Sequence, residues 1–418
     1  MLTPHLHRSS ITHELSYENV PLTEIARQFG TPTYVYSRAA MVDNFRAYKS
    51  AFAASKPLFC YSVKANSTLS VLALLASEGA GFDIVSGGEL QRVIAAGGDA
   101  SKIIFSGVAK KRDEIELALT HNIQCFNVES EAELYRVNEV ALALGKRARI
   151  TFRINPDVDA KTHPYISTGL KSNKFGVAHL DAVRLYTLAS TMKGIELHGI
   201  ECHIGSQITE LSPYIDALKR LLSLVDDLAA LGIQLHHIDI GGGRAIVYED
   251  ESLVSMTQFA LAVEREIAGH HLDLLLEPGR SIVGDAGLLL TRVEFLKPGE
   301  TKNFVLVDAA MNDLIRPTLY DAYHPVAPVL QRAGAATLYD VVGPVCESGD
   351  WLAKERALVV EPGDLLAILC AGAYGMTMAS NYNTRTRPCE VLVDGDHAHL
   401  IRERERFEDL IAHERIVV

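Results

Sequence analysis

Between Pro57 and Pro278, short β-branched and aromatic runs alternate with longer stretches in which apolar residues recur every three to four positions. The first pattern suits strands and the second amphipathic helices, so the alternation predicts βα units built on a parallel sheet. Strands are expected at 58–63, 82–85, 103–106, 124–128, 148–154, 195–204, 235–240 and 272–277. The intervening helices carry their own start and stop signals. Ser86 with Glu89 and Ser130 with Glu133 have capping-box spacing, while Gly97 and Gly145 close their periodic stretches. Ser212-Pro213 opens another helix, with Ile215, Leu218, Leu221, Leu222, Val225 and Leu228 on one face before Gly232. Eight such units in about 220 residues predict an α/β fold, a (β/α)8 TIM barrel.

After Gly284 the texture changes. Leu288–Leu296, Asn303–Asp308, Tyr339–Val342, Leu365–Leu369 and Glu390–Val393 read as strands between Pro/Gly turns, which predicts an all-β domain. The run Thr31–Tyr36 is also strand-like and precedes the first barrel strand, so it is assigned to the β domain. The expected division is 1–35 joining the β domain, 36–284 forming the barrel and 285–418 forming a C-terminal β domain.

Composition narrows the partners. Forty Lys and Arg against 52 Asp and Glu give a net charge of −12 in 418 residues, which disfavours nucleic acid or an anionic membrane and favours a small polar metabolite. The N-terminal MLTPHLHRSS has no continuous apolar core of a signal peptide, and no run approaches the ~18 to 20 apolar residues of a spanning helix. A cytoplasmic protein is expected. Six cysteines, at 60, 125, 202, 346, 370 and 389, form no C-x-x-C pair, so neither a disulfide framework nor a zinc ribbon is signalled. No metal-ligand spacing accompanies the histidines.

In barrels of this kind chemistry sits at the C-terminal ends of the strands. Lys64, Asp83, Arg153 with Asn155, His203, Gly241-Gly242-Gly243 and Glu277-Pro278-Gly279-Arg280 all fall at or near those ends. A single lysine at a strand end ordinarily just reaches to water, but partial desolvation can also make such an amine a nucleophile. Three consecutive glycines allow backbone N–H groups to close around an anion such as phosphate, and the loops after strands seven and eight of a barrel are where phosphate commonly binds. His203, followed by Gly205 and Ser206, offers a flat ring beside a close backbone approach. A carboxylate at Glu277 can pair with a pyridine nitrogen and favour its protonated form. Lysine, phosphate cup, stacking histidine and carboxylate are together the set expected for pyridoxal 5'-phosphate.

These residues resemble the fold type III pyridoxal phosphate decarboxylases, a family that includes the ornithine decarboxylase-like and alanine racemase-like enzymes. The matching stretches are YSVKAN (61–66), GFDIVSGGE (81–89), RINPDVDAKTHPYISTG (153–169), SNKFG (172–176), ECHIGS (201–206) and IDIGGG (238–243). They continue with EPGRSIV (277–283), VDAAMNDLIRPTLYDAYHP (307–325), GPVCESGD (343–350) and GAYGMTMASNYN (372–383). The resemblance implies that Lys64 is the Schiff-base lysine, His203 lies on the ring face and Glu277 meets the pyridine nitrogen. It further implies that Ser206, Gly241, Gly242, Gly243, Gly279 and Tyr374 hold the phosphate, with Asp83, Arg153, Pro278 and Arg280 also lining the cofactor. Substrate would be held by Arg280, Arg316, Tyr320, Glu347 and Tyr374, and Cys346 would return the proton.

The resemblance also implies a C-terminal β-sandwich, Greek-key-like, that takes in the N-terminal segment. It implies a homodimer with active sites at the interface, the Cys346-Glu347 loop reaching in from the partner. The expected reaction is decarboxylation of meso-2,6-diaminopimelate to L-lysine and carbon dioxide. This substrate carries an amine and a carboxylate at both ends, so the distal end needs a cation such as Arg316 and an anion such as Glu347. Ornithine, arginine, lysine and carboxynorspermidine are the alternatives within the fold, and a non-catalytic cofactor-binding paralogue is the alternative outside catalysis. Two positions depart from the family pattern: Arg244-Ala245-Ile246 follows the triple glycine, and Ala310 stands where glycine is usual. An Arg244 beside a phosphate cup would strengthen anion binding or make an unfamiliar contact.

Overall fold

The computed structural model describes residues 3–159, 168 and 173–418. Of the family motif at 153–169, residues 160–167 and 169 therefore lie outside the described residues. The chain forms two compact units, one of Asn44–Ile246 with Ser252–Ser281, the other of Met1–Asp43, Val247–Glu251 and Ile282–Val418.

The first unit is a closed parallel barrel. Its strands are Leu58–Ser62, Gly81–Ile84, Ile103–Phe105, Cys125–Val128, Ala148–Asn155, Ile195–Glu201, His237–Asp239 and Asp273–Leu276. They pair in chain order, and the eighth closes on the first through Leu275↔Leu58. The helix starts follow the capping signals: the N–H of Glu89 donates to Ser86 Oγ and that of Glu133 to Ser130 Oγ, each at 3.2 Å. Six strands end earlier than the apolar runs suggest. The first stops at Ser62 and passes into a 3-10 turn, Val63–Ala65, so Lys64 sits on that turn and not on the strand; the sixth stops at Glu201, before His203. The reason is that Val63, Ile204 and Ile240 are buried without belonging to the ladder. Hydrophobicity reports burial, and at the rim burial outlasts pairing.

At the opposite, N-terminal end of the barrel, three histidines meet. His198 sits in a bulge between Leu197 and Gly199, and its ring lies 5.2 Å from those of His236 and His237. A Cβ on Gly199 would come within 2.3 Å of His237 Nε2, so glycine there is what admits the ring. His237 shares a hydrogen bond with Thr151 Oγ1 at 3.0 Å, and burial pushes its pKa down to about 3, with His198 and His236 adding. The imidazole is neutral when folded, whereas the unfolded chain takes up its proton below about pH 6.5. Stability from this group is therefore present above 6.5 and lost as pH falls. The expected loss is about 2 kcal/mol between pH 6.5 and 5. Denaturant midpoints across that range should show a shallower acid slope for His237→Gln; an unchanged slope refutes the assignment.

The second unit is built on a mixed sheet. Gly287–Lys297 is its spine: residues 287–290 pair with Thr33–Ser37, residues 289–292 with Leu365–Ile368, and residues 293–297 with Asn303–Val307. A bulge between Val293 and Phe295 lets one strand serve both layers of a sandwich. Thr33–Ser37 comes from the N-terminal segment and pairs in parallel with Cys389–Asp394. The apolar pattern missed Val326–Pro328, Trp351–Leu358 and His397–Arg402, whose charged or half-exposed residues blur the period-two signal.

Candidate active site

The C-terminal rim of the barrel carries the polar residues singled out above. Lys64 Nζ donates to Asp83 Oδ2 at 2.6 Å; Asp83 is fully buried while the Lys64 side chain keeps 36% of its exposure. Ser62 Oγ bridges Asp83 Oδ2 and the Glu277 carbonyl, both at 3.0 Å, which ties the first, second and eighth strand ends together. Below them Arg153, Glu201 and Asp239 stand side by side in register on strands five, six and seven. All three are buried, with Arg153 Nε 3.8 Å from Glu201 and Nη1 3.5 Å from Glu129. Asn155 accepts the Asp157 N–H at 3.0 Å.

Glu277 is buried among like charges. Burial pushes its carboxyl well above the usual range, with Asp83, Asp239 and Glu201 adding and Lys64 opposing. Two neutral donors reach its Oε1: Ser106 Oγ at 3.3 Å and Asn127 Nδ2 at 3.4 Å. Asp239 is pushed up to about 7, by burial first, while the Gly241 N–H that it accepts at 2.8 Å draws it back. His203 is held well below an ordinary histidine by burial, with Arg153 and Lys64 adding. Its Nδ1 accepts the Gly242 N–H at 3.2 Å, which leaves the neutral ring protonated on Nε2.

The glycine loop is packed backbone against backbone. A Cβ on Gly242 would lie 2.0 Å from the Glu277 carbonyl oxygen, and one on Gly243 would lie 2.2 Å from that of Gly205; Gly241 and Gly243 also have φ of +68° and +100°. Of the three glycine N–H groups, those of Gly241 and Gly242 serve Asp239 Oδ1 and His203 Nδ1. Arg280 Nη2 donates to Ser206 Oγ at 3.1 Å, joining two residues of the expected cofactor set, and Gly279 lies against Ser62 and Ala65, where a Cβ would meet theirs at 3.0 and 3.2 Å. Pro278 accepts the Ser62 N–H on its carbonyl at 3.0 Å. Arg244 makes the unfamiliar contact: its guanidinium donates to the Val254 carbonyl at 2.8 Å.

A second polar set lies in the β unit. Arg316 is buried and donates from Nη1 to Tyr248 Oη at 3.0 Å and to His324 Nε2 at 2.8 Å, over the face of the Tyr248 ring. His324 Nδ1 in turn meets the Leu369 carbonyl at 2.8 Å, so that imidazole is neutral with its proton on Nδ1. Pro317 starts the short helix Arg316–Tyr320 that carries Tyr320 at its end. Tyr374 is half-buried with φ of 56°, a left-handed conformation unusual for a tyrosine. Asp350 accepts the N–H groups of Met311 and Val345, both at 2.7 Å, and Asn383 Oδ1 accepts that of Cys346 at 2.8 Å, so the Cys346-Glu347 loop is pinned on both sides. Glu347 hydrogen-bonds Tyr382. Cys346 is exposed, whereas the other five cysteines are buried.

Sequence reasoning passed over Ser106, Asn127, Glu201, Asp239, Tyr248 and His324. The first four were within reach of the same rule that found Lys64 and Glu277, since each is a polar residue at the end of an apolar barrel strand. Tyr248 and His324 carry no such signal. Among the described residues no group of His, Cys, Asp and Glu is arranged to hold a metal ion, and no helix is long and apolar enough to cross a membrane.

A (β/α)8 barrel with a rim lysine, a buried carboxyl, a neutral histidine and a glycine cup, accompanied by a β-sandwich unit, defines the pyridoxal phosphate enzymes of the barrel type. The family description "Pyridoxal-dependent decarboxylase, pyridoxal binding domain" matches residues 38–284. The chain belongs to the pyridoxal-dependent decarboxylases, and its cofactor is pyridoxal phosphate. It is 57% identical to the diaminopimelate decarboxylase of Neisseria meningitidis serogroup B, covering 95% of this chain and 96% of that protein. It is 54% identical to that of Vibrio cholerae, covering 97% of each. Among solved structures, diaminopimelate decarboxylase from Helicobacter pylori complexed with L-lysine is 44% identical, with a TM-score of 0.91 over 94% of this chain and 98% of that one. The enzyme from M. jannaschii in co-complex with L-lysine is 38% identical, with a TM-score of 0.94 over 100% and 99%.

Proposed function

We propose that this enzyme decarboxylates meso-2,6-diaminopimelate to L-lysine and carbon dioxide, the closing step of lysine formation, as a cytoplasmic homodimer. The observation that carries the chemistry is the buried Glu277 carboxyl set among the Lys64–Asp83 pair, neutral His203 and the glycine cup. The residues fit the cofactor: glycines where side chains would collide, an accessible amine and a carboxyl able to share a proton.

Bound pyridoxal phosphate supplies a ring that accepts the electron pair left on carbon when carbon dioxide departs. The protein supplies the rest. Asp83 holds the Lys64 amine in place and would stabilise it as an ammonium. His203, being neutral and fixed through Nδ1, presents a flat ring that adds no competing charge. Glu277, as a carboxylate, would pair with a ring nitrogen and favour that nitrogen's protonated form. Arg316, pre-oriented by Tyr248 and His324, grips the distal carboxylate with help from Tyr320, and Glu347 accepts from the distal ammonium. Cys346 donates its Sγ proton to the carbon that lost carbon dioxide, and the thiolate regains a proton from water.

The deciding experiment measures carbon dioxide and lysine release from meso-diaminopimelate, with ornithine, arginine, lysine and carboxynorspermidine as competing substrates. Turnover of ornithine or lysine at comparable kcat/KM overturns the substrate reading, because neither carries the distal carboxylate that Arg316 would pair. Arg316→Ala should retain the cofactor yet lose roughly 30-fold to several thousand-fold in kcat/KM, the effect of leaving a buried charged partner unpaired. If the variant loses cofactor but regains full kcat/KM when saturated with it, Arg316 is structural.

A further inference from the structure

Glu277 has to be ionised to hold a proton on a ring nitrogen, yet its surroundings oppose ionisation. Asp83, Asp239 and Glu201 crowd it from the second, seventh and sixth strands, with Asp239 also hydrogen-bonded to the Glu277 carboxyl, while Lys64 is the cation that offsets them and Arg153 stands beside Glu201. A further cation there would compete with the ring for the carboxylate. Neutral donors stabilise an anion without that competition.

Two such donors are present, at the ends of the third and fourth strands. Asn127, on the fourth strand, is fully buried, and its Nδ2 reaches both Ser106 Oγ at 3.0 Å and Glu277 Oε1 at 3.4 Å. Ser106, just past the third strand and also buried, donates to the same Oε1 at 3.3 Å. The three groups form a triangle converging on one oxygen. Asn127 is fixed in turn by its backbone: its carbonyl accepts Lys110 Nζ at 2.7 Å, and that ammonium also binds the Gly107 carbonyl and Glu133 Oε1, each at 2.7 Å. The buried Lys110 cation therefore braces the fourth strand one residue step from the carboxyl without touching it.

We propose that Ser106 and Asn127 are positioning residues that saturate Oε1 of Glu277, turning its other oxygen toward the cofactor's ring nitrogen and favouring the carboxylate that keeps that nitrogen protonated. The proposal rests on the assignment of Glu277 to the ring nitrogen.

The test compares Ser106→Ala, Asn127→Leu and Glu277→Gln, each alone and in combination, by the pyridoxal phosphate dissociation constant and by the pH midpoint of the bound cofactor's visible absorption change. Losing a hydrogen bond to a charged group should weaken cofactor binding about tenfold or more and shift that midpoint. In the Glu277→Gln background the same changes should have little further effect, since the donors act through a carboxylate no longer there. Ser106→Ala removes one hydroxyl from a small side chain and guards against a packing failure in Asn127→Leu. Ser106→Ala and Asn127→Leu matching the wild type in both measurements, with Glu277→Gln impaired, overturns the proposal alone. Effects that persist undiminished beside Glu277→Gln also overturn it, as a packing role. A Glu277→Gln variant identical to wild type removes the underlying assignment together with it.

Discussion

Lys64→Ala is expected to lower decarboxylation by roughly 10,000-fold or more, since removing a group that makes a covalent bond to the cofactor is among the costliest single changes in an enzyme. The wild-type holoprotein should be yellow, and borohydride should fix the cofactor onto Lys64. Lys64 is suited to this because its amine sits on a turn at the rim, 2.6 Å from Asp83, with 36% of its side-chain exposure retained. Among the described residues Lys110 also lies near the rim, and it is a poor competitor. Its ammonium is buried and engaged by three oxygens at 2.7 Å, which leaves no donor free and no path for an incoming aldehyde. Peptide mapping that found the reduced adduct on Lys110 or any lysine besides Lys64 refutes the assignment, as does a colourless holoprotein.

The contrast between these two lysines shows what the sequence makes legible. The barrel could be read because eight buried strands leave eight apolar runs, and burial is what hydrophobic periodicity records. The strand ends could not, because Val63, Ile204 and Ile240 remain buried after the ladder has stopped. Lys64 and Glu277 stood out as polar residues closing apolar runs. Ser106 and Asn127 obey the same rule but are small and neutral, so they read as ordinary strand-end residues until their contact with Glu277 is seen. Gly241 to Gly243 suggested an anion cup, whereas two of their N–H groups turn out to serve side chains brought in from other strands. That pairing is long-range and leaves no local trace. The same holds in the β unit, where Arg316 is oriented by Tyr248, 68 residues away in the chain, and by His324. The charged strand Trp351–Leu358 was missed because its half-exposed pattern resembles a loop.

The exposed thiol of Cys346 motivates the last expectation. Its loop is held by Asp350 and Asn383 and its thiol is exposed, and the proposed homodimer gives it a testable role. If each active site takes Lys64 from one subunit and Cys346 from its partner, Lys64→Ala and Cys346→Ala should each be nearly inactive alone and partly rescue one another when mixed. In a two-fold dimer, a mixed pair places both lesions in one pocket and neither in the other. Random exchange makes about half the dimers mixed, and each has one intact pocket of two, so roughly a quarter of wild-type activity should return. If Lys64 and Cys346 of one chain served the same pocket, every pocket would carry one lesion and none would recover. Subunit exchange can be followed independently with differently tagged chains. Demonstrated exchange without recovered activity refutes the shared site, whereas recovery near a quarter is the stoichiometry that a two-fold interface requires.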